Sequence, residues 1–169
     1  MERDTFWQLI DTVRTEANND ETQFEPILCS YLEELEPSDL IEFDYHLRKL
    51  VTQAYLNQLW GAAYIINGGA SDDGFYYFRA WLVMQGKTVY EKALKDPDSL
   101  VEVCDQINFD AEAEEVLYAA GNVYEQRTGE EFESIIDPDD TGVWPTDPDW
   151  EEDDLPHLFP RLSARYKDD

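Results

Sequence analysis

The chain has 169 residues, 43% hydrophobic and 14% aromatic, which is enough apolar material for one domain with a proper core and too much for global disorder. Thirty-nine acids against 12 bases give a formal charge of -27, which repels nucleic-acid phosphates and anionic membrane surfaces, so direct nucleic-acid binding is disfavoured. The start, MERDTFWQLI, lacks a positive stretch leading into an apolar segment, and no run reaches the ~18 apolar residues of a membrane span, so neither secretion by that route nor membrane insertion is expected.

In chain order, Asp4 or Thr5 is placed to cap a first helix whose Phe6, Leu9, Ile10, Val13 and Ala17 recur at helical spacing, and Asn18, Asn19 and Asp20 end it. A second helix is expected over residues 22–35, with Pro26 tolerated because it lies in the first turn. Pro37 reads as a stop and Ser38 as the cap of a third helix carrying Leu40, Ile41, Phe43, Leu47, Leu50 and Val51. This helix either runs on into the following segment or breaks near Gln53. Two further helices, over 54–66 and 72–85, flank the turn Asn67-Gly68-Gly69-Ala70-Ser71. Gly68 or Gly69 suits the left-handed conformation that closes a helix, and Ser71 is an N-cap with Asp72 and Asp73 at the positive end of the dipole. Phe75, Tyr76, Tyr77, Phe78, Trp81, Leu82, Val83 and Met84 go most of the way round their helix, the pattern of a buried one.

Gly86 closes the next turn. Residues 87–95 read as a short helix, Pro97-Asp98-Ser99 starts another short element, and 109–126 reads as a last long helix with Gly129 as its stop. From Asp137 to Asp154 there are nine acids, no base, three prolines and two tryptophans, which cannot build a core. Trp144, Trp150, Leu155, Leu158, Phe159 and Leu162 are nonetheless too apolar for a spacer. The expectation is a single all-α domain over 1–130, of about six to eight helices around a buried central hairpin, with an extended acidic arm over 131–169 that docks aromatic anchors on the helical body. Cys29 and Cys104 lack a second thiol or histidine at ligand spacing and read as reduced, buried small hydrophobes, which fits a cytoplasmic location.

The run Ala62-Ala63-Tyr64-Ile65-Ile66-Asn67-Gly68-Gly69, with Ser71-Asp72-Asp73-Gly74-Phe75, Tyr77-Phe78-Arg79 and Trp81-Leu82, resembles the bacterial domain-of-unknown-function 4240 family. So do Phe6-Trp7, Val89-Tyr90, Ala93-Leu94, Pro97-Asp98-Ser99-Leu100 and Phe159-Pro160-Arg161-Leu162. The resemblance covers roughly residues 1–130 and implies an all-helical, cytoplasmic, bacterial protein with no established activity. Where the family pattern has a Gly-Cys pair before Ser-Asp-Asp, this chain has Gly69-Ala70, which argues against cysteine-dependent chemistry at that point.

The candidate ligand site is a polar corner at the mouth of the hairpin, formed by Asn67, Ser71, Asp72, Asp73, Tyr76 and Arg79. Asp72 and Arg79 fall on nearly the same helix face, about 10 Å apart along the axis, and helical side chains lean toward the N-terminus. The bland reading is a capped helix start with an ion pair holding the turn. Glu42 and His46 stand at i, i+4, but no second such pair accompanies them, so no metal and no cofactor is assigned. No residue is assigned as a catalytic nucleophile, and the glycines at 68, 69 and 74 lack the lysine and preceding strand of a phosphate loop.

Two functions compete. The first is a non-catalytic protein-binding or regulatory module, immunity- or inhibitor-like, whose acidity suits a partner with a basic surface and whose Trp144, Trp150, Asp153 and Asp154 would contact it. A stricter version has the acids mimic DNA phosphates, weakened because nine of the 39 acids lie between Asp137 and Asp154 in the expected arm. The second is a small-ligand or Mg²⁺-dependent enzyme at the Ser71–Asp73/Arg79 corner, with Asp72 or Asp73 as base or metal ligand and Arg79 as an anion clamp.

Overall fold

The computed structural model describes residues 1–136, 142 and 144–167, so the parts of the expected arm at 137–141, 143 and 168–169 lie outside it. Among the described residues the chain is all-helical, with no strand, and no helix is long and apolar enough to cross a membrane.

Helix α1 (Arg3–Glu16) buries Phe6, Trp7, Ile10 and Val13 and starts after Glu2 rather than at an Asp4 or Thr5 cap. It ends where Asn18 and Asn19 take positive φ of 51° and 59°, a conformation Asn adopts more readily than most residues. The expected second helix is shorter than 22–35. Asp20 accepts the Thr22 N–H at 3.0 Å and folds Glu21–Gln23 into a 3-10 turn, leaving α2 as Phe24–Leu32. Helix α3 (Pro37–Gln53) begins on the proline itself, with Glu36 at the cap position. Ser38 is therefore not the cap: a proline's fixed φ suits the first helical position, where its missing N–H costs nothing.

Between the two open alternatives the chain takes the break. Helix α3 ends at Gln53 and α4 (Asn57–Asn67) follows a short turn through Ala54. Gly68 closes α4 with φ of 68°, and α5 (Asp72–Met84) starts on the Ser71 cap, whose Oγ accepts the Gly74 N–H at 3.1 Å. Helix α5 buries Phe75 and everything from Phe78 to Met84, and packs against α1, α3, α4 and α6 (Lys87–Lys95).

A 3-10 helix, Pro97–Gln106, then leads to α7 (Val116–Thr128), which packs along α2 and α3 and closes at Gly129 with φ of 73°. The expected start of this last long helix at Phe109 is wrong, for a physical reason. Asp110 and Glu114 would repel at i, i+4, and the Ala113 N–H, which a helix from Phe109 would give to the Phe109 carbonyl, is taken from outside the stretch. Glu21 accepts the N–H groups of Asn108 and Phe109 at 3.0 and 2.7 Å, the Tyr77 carbonyl accepts that of Ala113 at 3.1 Å, and Asn67 Oδ1 accepts that of Ala111 at 2.9 Å.

Beyond α7, Glu152–Asp154 forms a 3-10 turn that leads into α8 (Leu155–Leu158) and α9 (Pro160–Arg165). Leu155, Phe159 and Leu162 are buried in the same core as the residues of α4 and of the 97–106 helix. The core is lined throughout by aromatic contacts, among them Trp60 stacked on Phe75 at 4.9 Å and Trp7 tilted against Tyr90 at 5.5 Å.

Candidate functional site

The six residues of the expected polar corner are shared among three places. Ser71, Asp72 and Asp73 sit exposed on the outside of the α5 start. Asn67 turns away to the 107–115 stretch, where Oδ1 accepts the Ala111 N–H and Nδ2 approaches its carbonyl at 3.5 Å. Tyr76 and Arg79 face α3. Tyr76 Oη accepts from Arg48 Nη1 at 3.2 Å, and Arg79 Nη1 donates to the Val51 carbonyl at 3.0 Å while Nε donates to the Phe75 carbonyl at 3.3 Å.

Arg79 is only 6% exposed, and its guanidinium lies over the Tyr55 ring at 4.4 Å. Its bonds to the Val51 and Phe75 carbonyls aim it at α3 and away from Asp72, which is exposed on the outside of the helix start. The last turn of α3 explains its direction. Val51 offers a carbonyl that its own helix leaves without a partner, at the negative end of the dipole, and a buried cation is drawn there rather than to a solvated carboxylate.

Glu42 and His46 also have a local use. The Met1 ammonium pairs with Glu42 and with Asp39, the latter at 2.9 Å, and His46 Nε2 lies 3.0 Å from the Met1 carbonyl oxygen. Among the described residues no group of three or more His, Cys, Asp and Glu is arranged to hold a metal ion. Both cysteines are free; Cys104 is buried, whereas Cys29 is half-buried beside Glu25, and burial together with that carboxylate pushes its thiol up to about 12.

Of the expected partner-contacting residues, Trp144 is 75% exposed. Trp150 is turned inward, its Nε1 donating to the Asn57 carbonyl at 2.6 Å and its ring 5.4 Å from that of Tyr64. Asp153 is exposed, and Asp154 accepts the Glu151 N–H at 3.0 Å within its own turn.

The structure brings together a site that linear reading missed. The turn before α2 and the irregular stretch before α7 face each other across a concavity of about 520 Å³ lined by Glu21, Glu25, Asp110, Glu112, Glu114 and Glu115. Phe109 stands on its rim, 74% exposed. Burial and the charges of Asp110 and Glu114 hold the Glu112 carboxyl above its ordinary value. A hydrogen bond to Glu114 raises the neighbouring Tyr77 phenol to about 12, with burial and the Glu114 charge adding to it. The available signal was the density of acids from Asp110 to Glu115 directly after an aromatic residue, which a helical reading spreads around a cylinder.

The family model for proteins of unknown function DUF4240 matches residues 1–126. The chain belongs to the DUF4240 family. Both sides of the acidic concavity and all of α1 to α5 fall inside the DUF4240 match, whereas α8 and α9 lie beyond it. No curated protein and no solved structure matches the chain.

Proposed function

We propose that the chain is a non-catalytic binding or regulatory module that takes a partner with a basic surface, and that the partner seats on the acidic concavity between the Glu21–Gln23 turn and the Phe109–Glu115 stretch. The observation that carries this reading is the convergence of six carboxylates around about 520 Å³ with an exposed phenyl ring at the edge. An exposed aromatic beside a charged surface has the composition of an interface anchor, and the surrounding carboxylates would pair with lysine or arginine.

The charge of -27 supports the reading kinetically, because a field of one sign steers an oppositely charged partner and raises the rate of encounter. An immunity- or inhibitor-like role for a bacterial cytoplasmic protein fits such fast association, and the free thiols of Cys29 and Cys104 suit a reducing compartment. In this reading the α4–α5 hairpin organises the domain, and the acidic segment from 131 onward docks on it through Leu155, Phe159 and Leu162.

Affinity capture from the native cell at near-physiological salt tests the proposal, comparing the chain with a Phe109→Ser, Glu112→Gln, Glu114→Gln variant. A basic protein retained stoichiometrically by the parent and lost by the variant is the expected result. Equal retention by both moves the contact off this surface, and retention by neither sinks the reading.

A further inference from the structure

The start of α4 and the start of α9 are each capped by a carboxylate from the other side of one contact. Leu56, at the cap position of α4, has no side chain able to accept a backbone N–H. Asp147 supplies it from ninety residues away, its Oδ1 accepting from Asn57 at 2.7 Å and its Oδ2 from Gln58 at 2.9 Å. Phe159, before α9, is equally unable. Asp98 supplies that cap, its Oδ2 accepting from Arg161 at 3.1 Å and its Oδ1 from Leu162 at 2.8 Å. Unpartnered N–H groups at helix starts need such acceptors, so each side completes a helix of the other.

Between the two caps lies an apolar seam. Phe159 and Leu155 press onto Gly61 so closely that a Cβ there would come within 2.7 Å of the Phe159 ring and 3.2 Å of Leu155. Around the seam Arg161 pairs with Asp96 at 3.2 Å and Arg165 with Asp105 at 2.9 Å. We propose that residues 147–165 are a releasable clasp: a peptide that the face of α4 binds in cis, and that comes off as one unit while the rest of the fold stays closed. This rests on residues remote from the acidic concavity and stands or falls separately from it.

The physical argument is one of local stability. Helices α8 and α9 span four and six residues, far too few to persist unsupported, so the segment is ordered by its contact with α4 and the 97–106 helix. That contact buries three apolar side chains, Leu155, Phe159 and Leu162, and most of its ion pairs are exposed and weak. Glu151, Glu152, Asp153 and Asp154 add exposed negative charge to a segment lying on a protein that is already strongly negative. A unit held in this way belongs to the low end of the opening free energies of a fold, while α3 and α7, packed along each other, belong to the high end. Release bares the first-turn N–H groups of α4 next to the apolar notch at Gly61, a site shaped for an acidic residue followed three positions later by an aromatic ring, as in Asp147 and Trp150.

Native-state hydrogen exchange on the full chain tests this. The amides of Asn57, Gln58, Arg161 and Leu162 are expected to exchange together, at least about a hundredfold faster than interior amides of α3 and α7. Asp147→Ala should speed all four by about three- to tenfold and leave α3 and α7 unchanged. Gly61→Ala supplies an opposed sign. Helix propensity alone would slow opening at α4, whereas the clash with Phe159 should speed exchange at Arg161 and Leu162, on the far side of the contact. If the four amides exchange only with α3 and α7, or if the α4 pair and the α9 pair open independently, the clasp is overturned.

Discussion

The Arg79 guanidinium donates to the Val51 carbonyl at 3.0 Å, tying the middle of α5 to the last turn of α3. The bond spans two helices that the sequence separates by a turn, a third helix and the Ser71 cap, and it is buried. A buried charge-assisted bond of this kind is worth more than an exposed one, and deleting it leaves a carbonyl without a donor. Arg79→Met is therefore expected to lower stability by about 2–4 kcal/mol. Arg79→Lys should recover only part of this, because an ammonium cannot reproduce the fork that reaches both Val51 and Phe75. Urea denaturation of the three proteins checks it, and a stability loss under 1 kcal/mol in Arg79→Met would contradict the role.

The outside of the same helix start behaves differently. Ser71→Ala should cost about 1 kcal/mol through the lost cap, and Asp73→Ala less than that, through the helix dipole alone. Thermal melts with and without Mg²⁺ are expected to coincide for both variants and the parent. A parent-only shift with Mg²⁺, absent in Asp73→Ala, would instead make the corner a metal site.

The carboxyls of two residues are held above their ordinary values, which sets the direction of the pH dependence. Burial raises Asp44 against the opposing pull of Ser134 and Arg48, and burial with neighbouring acids raises Glu112. A raised group binds its proton more tightly in the folded state, so its contribution is fully present below the unfolded values of 3.8 and 4.5 and is lost as pH rises through the folded ones. Glu102, lowered by its bond to Lys92, acts in the opposite sense but is exposed and screened. Stability should thus rise as neutral solutions are acidified toward those values, aided by the relief of self-repulsion among 39 acids. Urea midpoints across that range test this, and Glu112→Gln should flatten the slope. A midpoint that falls steadily from neutral pH would refute it.

Phe109 separates fold from binding. At 74% exposure its replacement by serine should leave stability within about 0.5 kcal/mol of the parent. Any loss of partner capture in that variant then reports on the surface and not on unfolding. A melt lowered by several degrees would show that the ring supports the 107–115 stretch.

Cys29 should be a slow thiol. With its ionisation pushed up to about 12 by burial and Glu25, only about one molecule in ten thousand carries the thiolate at pH 8. Alkylation by iodoacetamide is expected to run orders of magnitude slower than for a free thiol, and Glu25→Gln should accelerate it. Rapid labelling of the native chain would contradict the placement.

Much of the helical frame was legible because the signals that set it act over a few residues. Ser71 caps α5 through an N–H three positions away, Gly68 and Gly129 close helices by adopting positive φ, and the ring of apolar residues from Phe78 to Met84 announces a buried helix by period alone. Family membership was legible for the same reason, since its residues cluster in the run around that turn. Composition settled the charge. Where local signals conflicted with distant partners, the distant partners won. The Tyr77 carbonyl took the Ala113 N–H that a helix from Phe109 would have bonded to its own first turn, and Val51 drew Arg79 inward from the corner it shares in sequence with Asp72. Asp147 looked like one acid among many, yet it completes α4. Sequence alone thus determined where most helices before Phe109 lie, how several of them stop and how negative the chain is, because capping, φ preference and periodicity are properties of neighbours, but it did not show the late start of α7 or the helices at Leu155–Leu158 and Pro160–Arg165 in the expected arm. Only the tertiary structure decided which carboxylates converge beside Phe109 and which one caps a helix ninety residues away, because those choices depend on how whole helices pack and leave no trace in local spacing.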